Sequence, residues 1–377
     1  MKTKIINYLI GLLLAIYYCV YLQNTYLQLV VNKNDWHLGE WLINYQDGGF
    51  KRRGLLGSLF VFINELTGVH LANIVFVFLF IIYTLFFILF IKFIWPNKNT
   101  LLTISLLLLP AGLGMVLKDH TIIPKKEIIF FLFYLVYLLC LRSKMVIKDY
   151  VITLFILIAL LIHEAAFFYL PFVSLAYFVK NSEPTAHKIK KIFFYQLLPA
   201  TLVMLFFYKF GISIKTENTV SFFKDHGYLL KELNIYDYYQ SDFDVSSIYK
   251  TYLYGYVTYS ISLFLAALTV FIYCKLNKIK INPVFLIIQV IFLIPLFIKG
   301  FDWGRWINIF FSLLTLFIIG EKQLVSSLKK DGVAILLIIF NSFWTMMAFY
   351  QGFSSFTLLD VMIKKVYYFL YFNLFRG

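Results

Sequence analysis

The stretch ANIVFVFLFIIYTLFFILFIKF, residues 72–93, holds one charged residue, Lys92. Crossing roughly 30 Å of hydrocarbon takes about 20 apolar residues in a helix, and runs of this kind recur along the chain. With 61% hydrophobic and 14% charged residues, a water-soluble fold has no means of burying so much apolar surface. A bilayer is the matching solvent. There every backbone N–H and C=O must be satisfied internally. The expected fold is therefore an all-α polytopic membrane protein, one integral membrane domain over residues 1–377.

Spans are expected near 5–31, 71–95, 101–117, 127–141, 192–214, 251–274, 284–299, 306–320, 333–350 and 356–375. The apolar segment 55–66 is too short to cross and should lie along the interface or re-enter. The N-terminus begins like a signal peptide, but its apolar stretch is long and no small-x-small site follows. It reads as an uncleaved first span. Cys19, Cys140 and Cys274 all fall in apolar segments. Their spacing suggests neither a metal site nor a disulfide frame.

Residues 149–180 decide the topology. They form either one long helix or a short hairpin broken at His163-Glu164. A hairpin places Lys92 and Lys98, Arg142 to Lys148, Lys180 to Lys191, Lys275 to Lys280, Lys322 to Lys330 and Arg376 on the side of Lys2 and Lys4. One helix would send three of these clusters to the opposite side, against the positive-inside bias. The hairpin raises the expected count to about twelve transmembrane helices, with both termini cytoplasmic. The net charge of +15 is spread over short loops, so it reads as topological signal plus an anionic ligand or headgroups, and nucleic acid is not expected as a partner.

On this topology several cations run against the rule. Lys51, Arg52 and Arg53 stand in the first outer loop (32–56), and Lys118, Lys125, Lys126, Lys299 and Arg305 in later ones. Arginine presents a planar fork that grips phosphate by two hydrogen bonds. The plainer reading for Lys51–Arg53 is contact with phospholipid headgroups. For Arg305 it is a structural pair with Asp302 between the interfacial Trp303 and Trp306. His163 and Glu164 lie deep in apolar sequence, where an ionisable group is costly and usually faces a polar cavity; the alternative is a pair capping the break. Asp35, Glu40 and Asp47 of the first loop are candidate bases. Pro124 before Lys125, Lys126 and Glu127 also suits a helix start. The outer loop 215–250 is rich in Tyr and acids. That suits sugar recognition, but Tyr is common at any membrane interface. No phosphate-binding Gly-rich loop, GxSxG or HExxH occurs, so no nucleotide, metal or other cofactor is expected.

Three features carry a resemblance: the first loop DWHLGEWLINYQDGGFKRRG, the mid-chain HEAAFFYLP and the late DWGRW. In layout the chain resembles bacterial O-antigen and capsule repeat-unit polymerases of the Wzy type and the related EpsG-like proteins. The resemblance implies a GT-C-like multi-helix bundle in the bacterial cytoplasmic membrane. The implied activity transfers a growing glycan from polyprenyl pyrophosphate onto the next lipid-linked unit at the outer face. A polyprenyl-pyrophosphate-linked glycan and membrane lipid would be its partners, with other polysaccharide-assembly proteins as further candidates. On that reading Arg52, Arg53 and Arg305, with Lys51 and Lys118, hold the pyrophosphate. Glu164, or Asp35 or Asp47, activates the acceptor hydroxyl, with His163 assisting. Two alternatives stand beside it: a GT-C transferase using polyprenyl-phosphate sugars, and a transporter or flippase of lipid-linked sugars.

Overall fold

The computed structural model describes residues 2–95, 101–142, 149–231, 235–238, 253–300, 302–321, 328–348 and parts of 361–369. The expected last span at 356–375, the far half of the 215–250 loop, Lys98, Lys144, Lys148, Lys322, Arg376 and the side chains of Lys299 and Lys329 lie outside this description. Among the described residues all regular elements are helical, and one isolated parallel bridge joins Lys51 to Ile212. Four stretches are long and apolar enough to cross a membrane: Lys4–Val31, Leu71–Ile94, Thr185–Phe210 and Thr258–Asn277. This composition is that of a membrane protein.

Helix α1 (Lys2–Tyr26) runs on through a π turn, Leu27–Val31, and packs against α4 (Leu71–Ile94). Tyr21 and Tyr83 meet there with ring centroids 4.9 Å apart. Between them lie α2 (Leu38–Leu42) and α3 (Gly54–Thr67). Helix α3 is the predicted short segment, with Leu56, Phe60 and Val61 buried and Phe62 and Leu66 exposed. Gly68, at φ 67°, ends it, as a left-handed C-terminal residue does.

The predicted span 101–117 does not form one helix. Helix α5 (Leu101–Leu107) stops short of Pro110, and the chain continues through 3-10 turns at Leu113–Leu117 and His120–Ile122. Proline lacks the N–H a helix interior needs and disfavours helical geometry in the residue before it. The broken backbone is buried and served by side chains. Tyr17 donates to the Leu107 carbonyl at 2.6 Å, and Asn308 to that of Gly112 at 2.7 Å. Helix α6 (Glu127–Arg142) follows.

Residues 149–180 do break at His163. Helix α7 (Asp149–Ile162), a 3-10 turn (Glu164–Tyr169) and α8 (Leu170–Lys180) reverse the chain, so that the Tyr177 hydroxyl returns to within 3.3 Å of the Asp149 carboxylate. His163 forms the apex, and Asp149 with Lys180 the base. The span predicted at 192–214 starts earlier. Helix α9 (Thr185–Ile192), a π turn (Phe193–Leu197) and α10 (Leu198–Phe210) form one long rod. Then come α11 (Thr219–Asp225), α12 (Ile235–Tyr238), α13 (Leu253–Asn277), α14 (Pro283–Lys299), α15 (Trp303–Ile319) and α16 (Leu328–Ser342). Helix α16 ends eight residues before the predicted limit of its span. Lys118 Nζ binds the carbonyls of Asn341, Ser342 and Trp344 at 3.2, 3.3 and 2.5 Å, and residues 343–348 continue without helix.

The bundle has two chemically different ends. At one, Arg142 donates to Phe93 O at 2.9 Å, Lys180 pairs with Glu321 at 2.5 Å, and Lys191 joins Asp149 and Glu183 at 3.2 and 2.8 Å. The other end gathers the first loop, the start of α6, the hairpin apex and the start of α15.

Candidate functional site

The first loop turns sharply to reach α3. Gly48 and Gly49 have φ of 155° and 119°, and Arg53 itself sits at φ 68° as N-cap of α3. A left-handed arginine is strained, and such strain persists only where surroundings enforce it. Lys126 enforces it here by donating to the Arg53 carbonyl at 3.1 Å. Lys126 is itself buried, with its ammonium 5.8 Å from the centre of the Trp41 ring. Trp41 is fixed by its indole N–H on Pro124 O at 3.2 Å. Burial, the largest influence, pulls the Lys126 ammonium down to about 7, although Glu40 opposes it.

From this pedestal the Arg53 guanidinium crosses to the hairpin apex. It binds Glu164 through Nε–Oε2 at 2.7 Å and Nη2–Oε1 at 2.6 Å, a two-toothed pair. Arg52, whose side chain is 46% exposed, approaches the same carboxylate at 3.5 Å. Arg305, near the start of α15, reaches Glu127 at 2.6 Å through Nε and 2.5 Å through Nη2. It also touches Asp302 and Glu40, each at 3.3 Å.

Glu40 lies where the two arms meet. Its Oε2 accepts from Lys125 at 2.9 Å, and its Oε1 lies 3.3 Å from Arg305 and 3.6 Å from Arg53. Burial alone would raise its carboxyl, but Lys125, Arg305 and Arg53 together hold it well below the usual carboxylate range. Buried ion pairs are weak evidence for stability, because desolvation costs about as much as the attraction returns. Such a network in a cleft is a candidate functional site.

His163 is held as the cap of its 3-10 turn, with Nδ1 accepting the Ala165 N–H at 3.2 Å. Its Nε2 lies 3.5 Å from Glu127 Oε1 and 3.3 Å from Arg305 Nη2. The other Glu127 oxygen, Oε2, is buried and has no hydrogen-bond partner among the described residues. Glu127 borders two narrow cavities of about 20 Å³ each, one beside His163 and Lys126, the other beside Arg305 and Asn308.

Of the residues singled out in the sequence, the fold brings Arg52, Arg53, His163, Glu164 and Arg305 into this cluster. The first-loop acids Asp35 and Asp47 have other partners. Asp35 accepts from the Tyr228 hydroxyl and from the Lys231 N–H, and Asp47 takes Lys51 and the Thr219 hydroxyl. Thr216 donates to the Asp47 carbonyl at 2.6 Å. Lys51 is thus a fully buried partner of Asp47. Lys118 serves the end of α16, as described above. Asp35 and Asp47 instead strap residues 211–231 onto the first loop. Tyr236 completes the strap by donating to Gly39 O at 2.9 Å, one residue from Glu40.

Trp303 and Trp306 do not box Arg305. They pack on Phe297 at 5.8 and 5.3 Å, on the side of α15 away from the cluster. There, apolar side chains of α13, α14 and α15, including Leu263, Leu293, Ile294, Phe297, Trp303 and Ile307, line an open cleft of about 460 Å³.

Lys125, Lys126 and Glu127, read equally well from the sequence as a helix start, are members of the cluster. Glu40 was one acid among three. Its position within the apolar run HLGEWL, where Leu38, Trp41 and Leu42 are all buried, was the available signal. No family model, curated protein or solved structure matches this chain.

Proposed function

We propose that this chain is a membrane glycosyltransferase that elongates a lipid-linked glycan at the outer face of a bacterial cytoplasmic membrane. It fits a GT-C-like bundle of about twelve spans with both termini cytoplasmic. One observation carries the reading. Arg52 and Arg53 of the first loop and Arg305 at the start of α15 converge with Glu40, Glu127, His163 and Glu164 at one end of an apolar bundle. The opposite end collects Arg142, Lys180 and Lys191, as the positive-inside bias expects of a cytoplasmic end.

In the proposed reaction a polyprenyl pyrophosphate-linked glycan lies with its diphosphate against Arg52 and Arg53. The carrier chain occupies the cleft beside Trp303 and Phe297. The acceptor is a sugar hydroxyl of the next lipid-linked unit. As the bond from the anomeric carbon to the phosphate oxygen breaks, its electron pair stays on the diphosphate, where the guanidinium groups stabilise the developing charge. The acceptor oxygen bonds to the anomeric carbon and its proton passes to Glu164. His163, whose Nε2 lies between Glu127 and Arg305, holds these two groups in register. Asp35 and Asp47 take no chemical part in this scheme; they hold the outer segment in place.

The test is reconstitution of the full chain into proteoliposomes with a polyprenyl pyrophosphate-linked oligosaccharide. Longer lipid-linked glycans and free polyprenyl pyrophosphate are expected. Addition of one sugar from a polyprenyl monophosphate donor would assign the single-sugar reading instead. Movement of intact donor between leaflets without any new linkage would overturn both and leave a flippase.

A further inference from the structure

In the resting protein the strongest anion seat is already taken. Arg53 makes a two-toothed contact with Glu164, and Arg52 adds a third cationic contact to the same carboxylate. A carboxylate and a phosphate present the same pair of acceptor oxygens to a guanidinium fork. The Glu164 side chain is 12% exposed and that of Arg52 is 46% exposed, so this pair stands at the mouth of the cluster. Arg305, with its side chain 9% exposed, stands deeper. Deep inside, Glu40 is held on three sides by Lys125, Arg305 and Arg53. Glu164, by contrast, pairs among the described residues with Arg52, Arg53 and His163.

We infer that Glu164 is a placeholder: an incoming diphosphate displaces its carboxylate from Arg53, takes over the fork, and in doing so releases Glu164. This rests on the transferase reading for its consequence, since the released carboxylate is the group assigned above as base. Substrate binding would then switch the base on. Before the diphosphate arrives, Glu164 is bound to two arginines and is a poor proton acceptor. Afterwards it lies beside the glycan with those hydrogen bonds removed. The exchange leaves no buried cation unpaired at any stage, which a simple vacant arginine site could not achieve. Arg53 itself does not need to move, because Lys126 holds its carbonyl and its left-handed backbone in place.

The consequence runs against intuition. Removing an acid from the site should strengthen anion binding, because a competing internal ligand taxes affinity by the fraction of time it holds the seat. Inorganic pyrophosphate binding to the full chain in detergent, measured by calorimetry, is the readout. Glu164→Gln is expected to bind about ten-fold tighter than the unaltered protein. Glu164→Asp keeps the charge but loses reach, and is expected to fall between the two. It also carries the test if the Gln variant fails to elute as a single species.

Unchanged or weaker binding in these variants would overturn the inference. So would an equal gain in Asp302→Asn, which changes the charge alike but removes one 3.3 Å contact to Arg305; net charge would then be the whole effect. A short-chain prenyl pyrophosphate is expected to displace the bound pyrophosphate. Equal displacement by a short-chain phosphatidate would assign the seat to headgroups and overturn the diphosphate assignment. Tighter pyrophosphate binding in a protein that never elongates a glycan would keep the exchange and remove only the transferase reading.

Discussion

Arg53 and Glu164, 111 residues apart in sequence, are joined by two hydrogen bonds of 2.7 and 2.6 Å. This contact ties the first loop to the hairpin apex, and a double-mutant cycle measures it. Breaking a buried pair from one side costs about 3–5 kcal/mol, whereas replacing both partners by apolar residues is often neutral. Arg53→Met and Glu164→Met should each lower the thermal midpoint in detergent, and the double variant should recover most of the loss. Additive losses would show that the two residues do not form one unit.

Two glycines are held by backbone, where nothing can yield. A Cβ on Gly57 would lie 1.9 Å from Ile43 O, and one on Gly304 1.8 Å from Met347 O. Gly57→Ala and Gly304→Ala should destabilise by about 3 kcal/mol, the upper range for overpacking. The second should also disturb Arg305, whose own N–H donates to Ala348 O at 3.2 Å. Gly332→Ala, with open space around it, should be neutral or slightly stabilising. Thermal midpoints of the three variants decide the ranking.

Lys126 makes stability depend on pH with a definite sign. Its ammonium falls from an ordinary 10.5 to about 7 in the folded chain, so between these values the unfolded chain binds more protons. Stability contributed by this group must therefore rise as pH rises from about 7 to about 10. The midpoint difference between the unaltered protein and Lys126→Met should shift in favour of the former across that window. A shift in the other direction would contradict a buried, readily deprotonated lysine.

Asp35 and Asp47 anchor residues 211–231, so their loss should be read there. Asp35→Asn weakens the Tyr228 and Lys231 contacts and should speed limited proteolysis within residues 211–231 several-fold, as local opening does. Glycan transfer, if it follows Glu164 as proposed, should fall far less than in Glu164→Gln, where loss of a proton-transfer group costs about 10²–10⁴-fold. Equal losses of activity in both would move Asp35 into the chemistry.

The cleft of α13–α15 gives a test based on chain length. Ile294→Trp narrows a wall of the 460 Å³ space. Transfer from a long-chain carrier should slow several-fold, while a carrier of two isoprene units should be unaffected, because only the long chain fills such a pocket. Equal slowing of both would exclude the cleft as the carrier's seat.

Much of this molecule was legible in its letters. Apolar runs at Leu71–Ile94 and near the N-terminus predicted spans that the fold contains, because helix is the only local way to satisfy a backbone in hydrocarbon. Loop cations favoured a hairpin at His163, and the meeting of Tyr177 with Asp149 reveals one. The cost of ionisable groups in apolar surroundings singled out His163, Glu164 and Arg305, and the positive-inside rule singled out Arg53; the fold brings the four together.

Which acid faces which base was not legible. Asp35, Glu40 and Asp47 occupy one loop with similar neighbours, and only packing sends Glu40 inward to Lys125 and Arg305 while the other two clamp residues 211–231. Pro110 gives its break a local cause, but the carbonyls left there and after Ser342 are served by Tyr17, Asn308 and Lys118 from far away in sequence, which only the fold decides. Hydrophobic periodicity is a local property, so it reports the spans. Charge pairing is a property of distances between loops, and the folded bundle alone sets those.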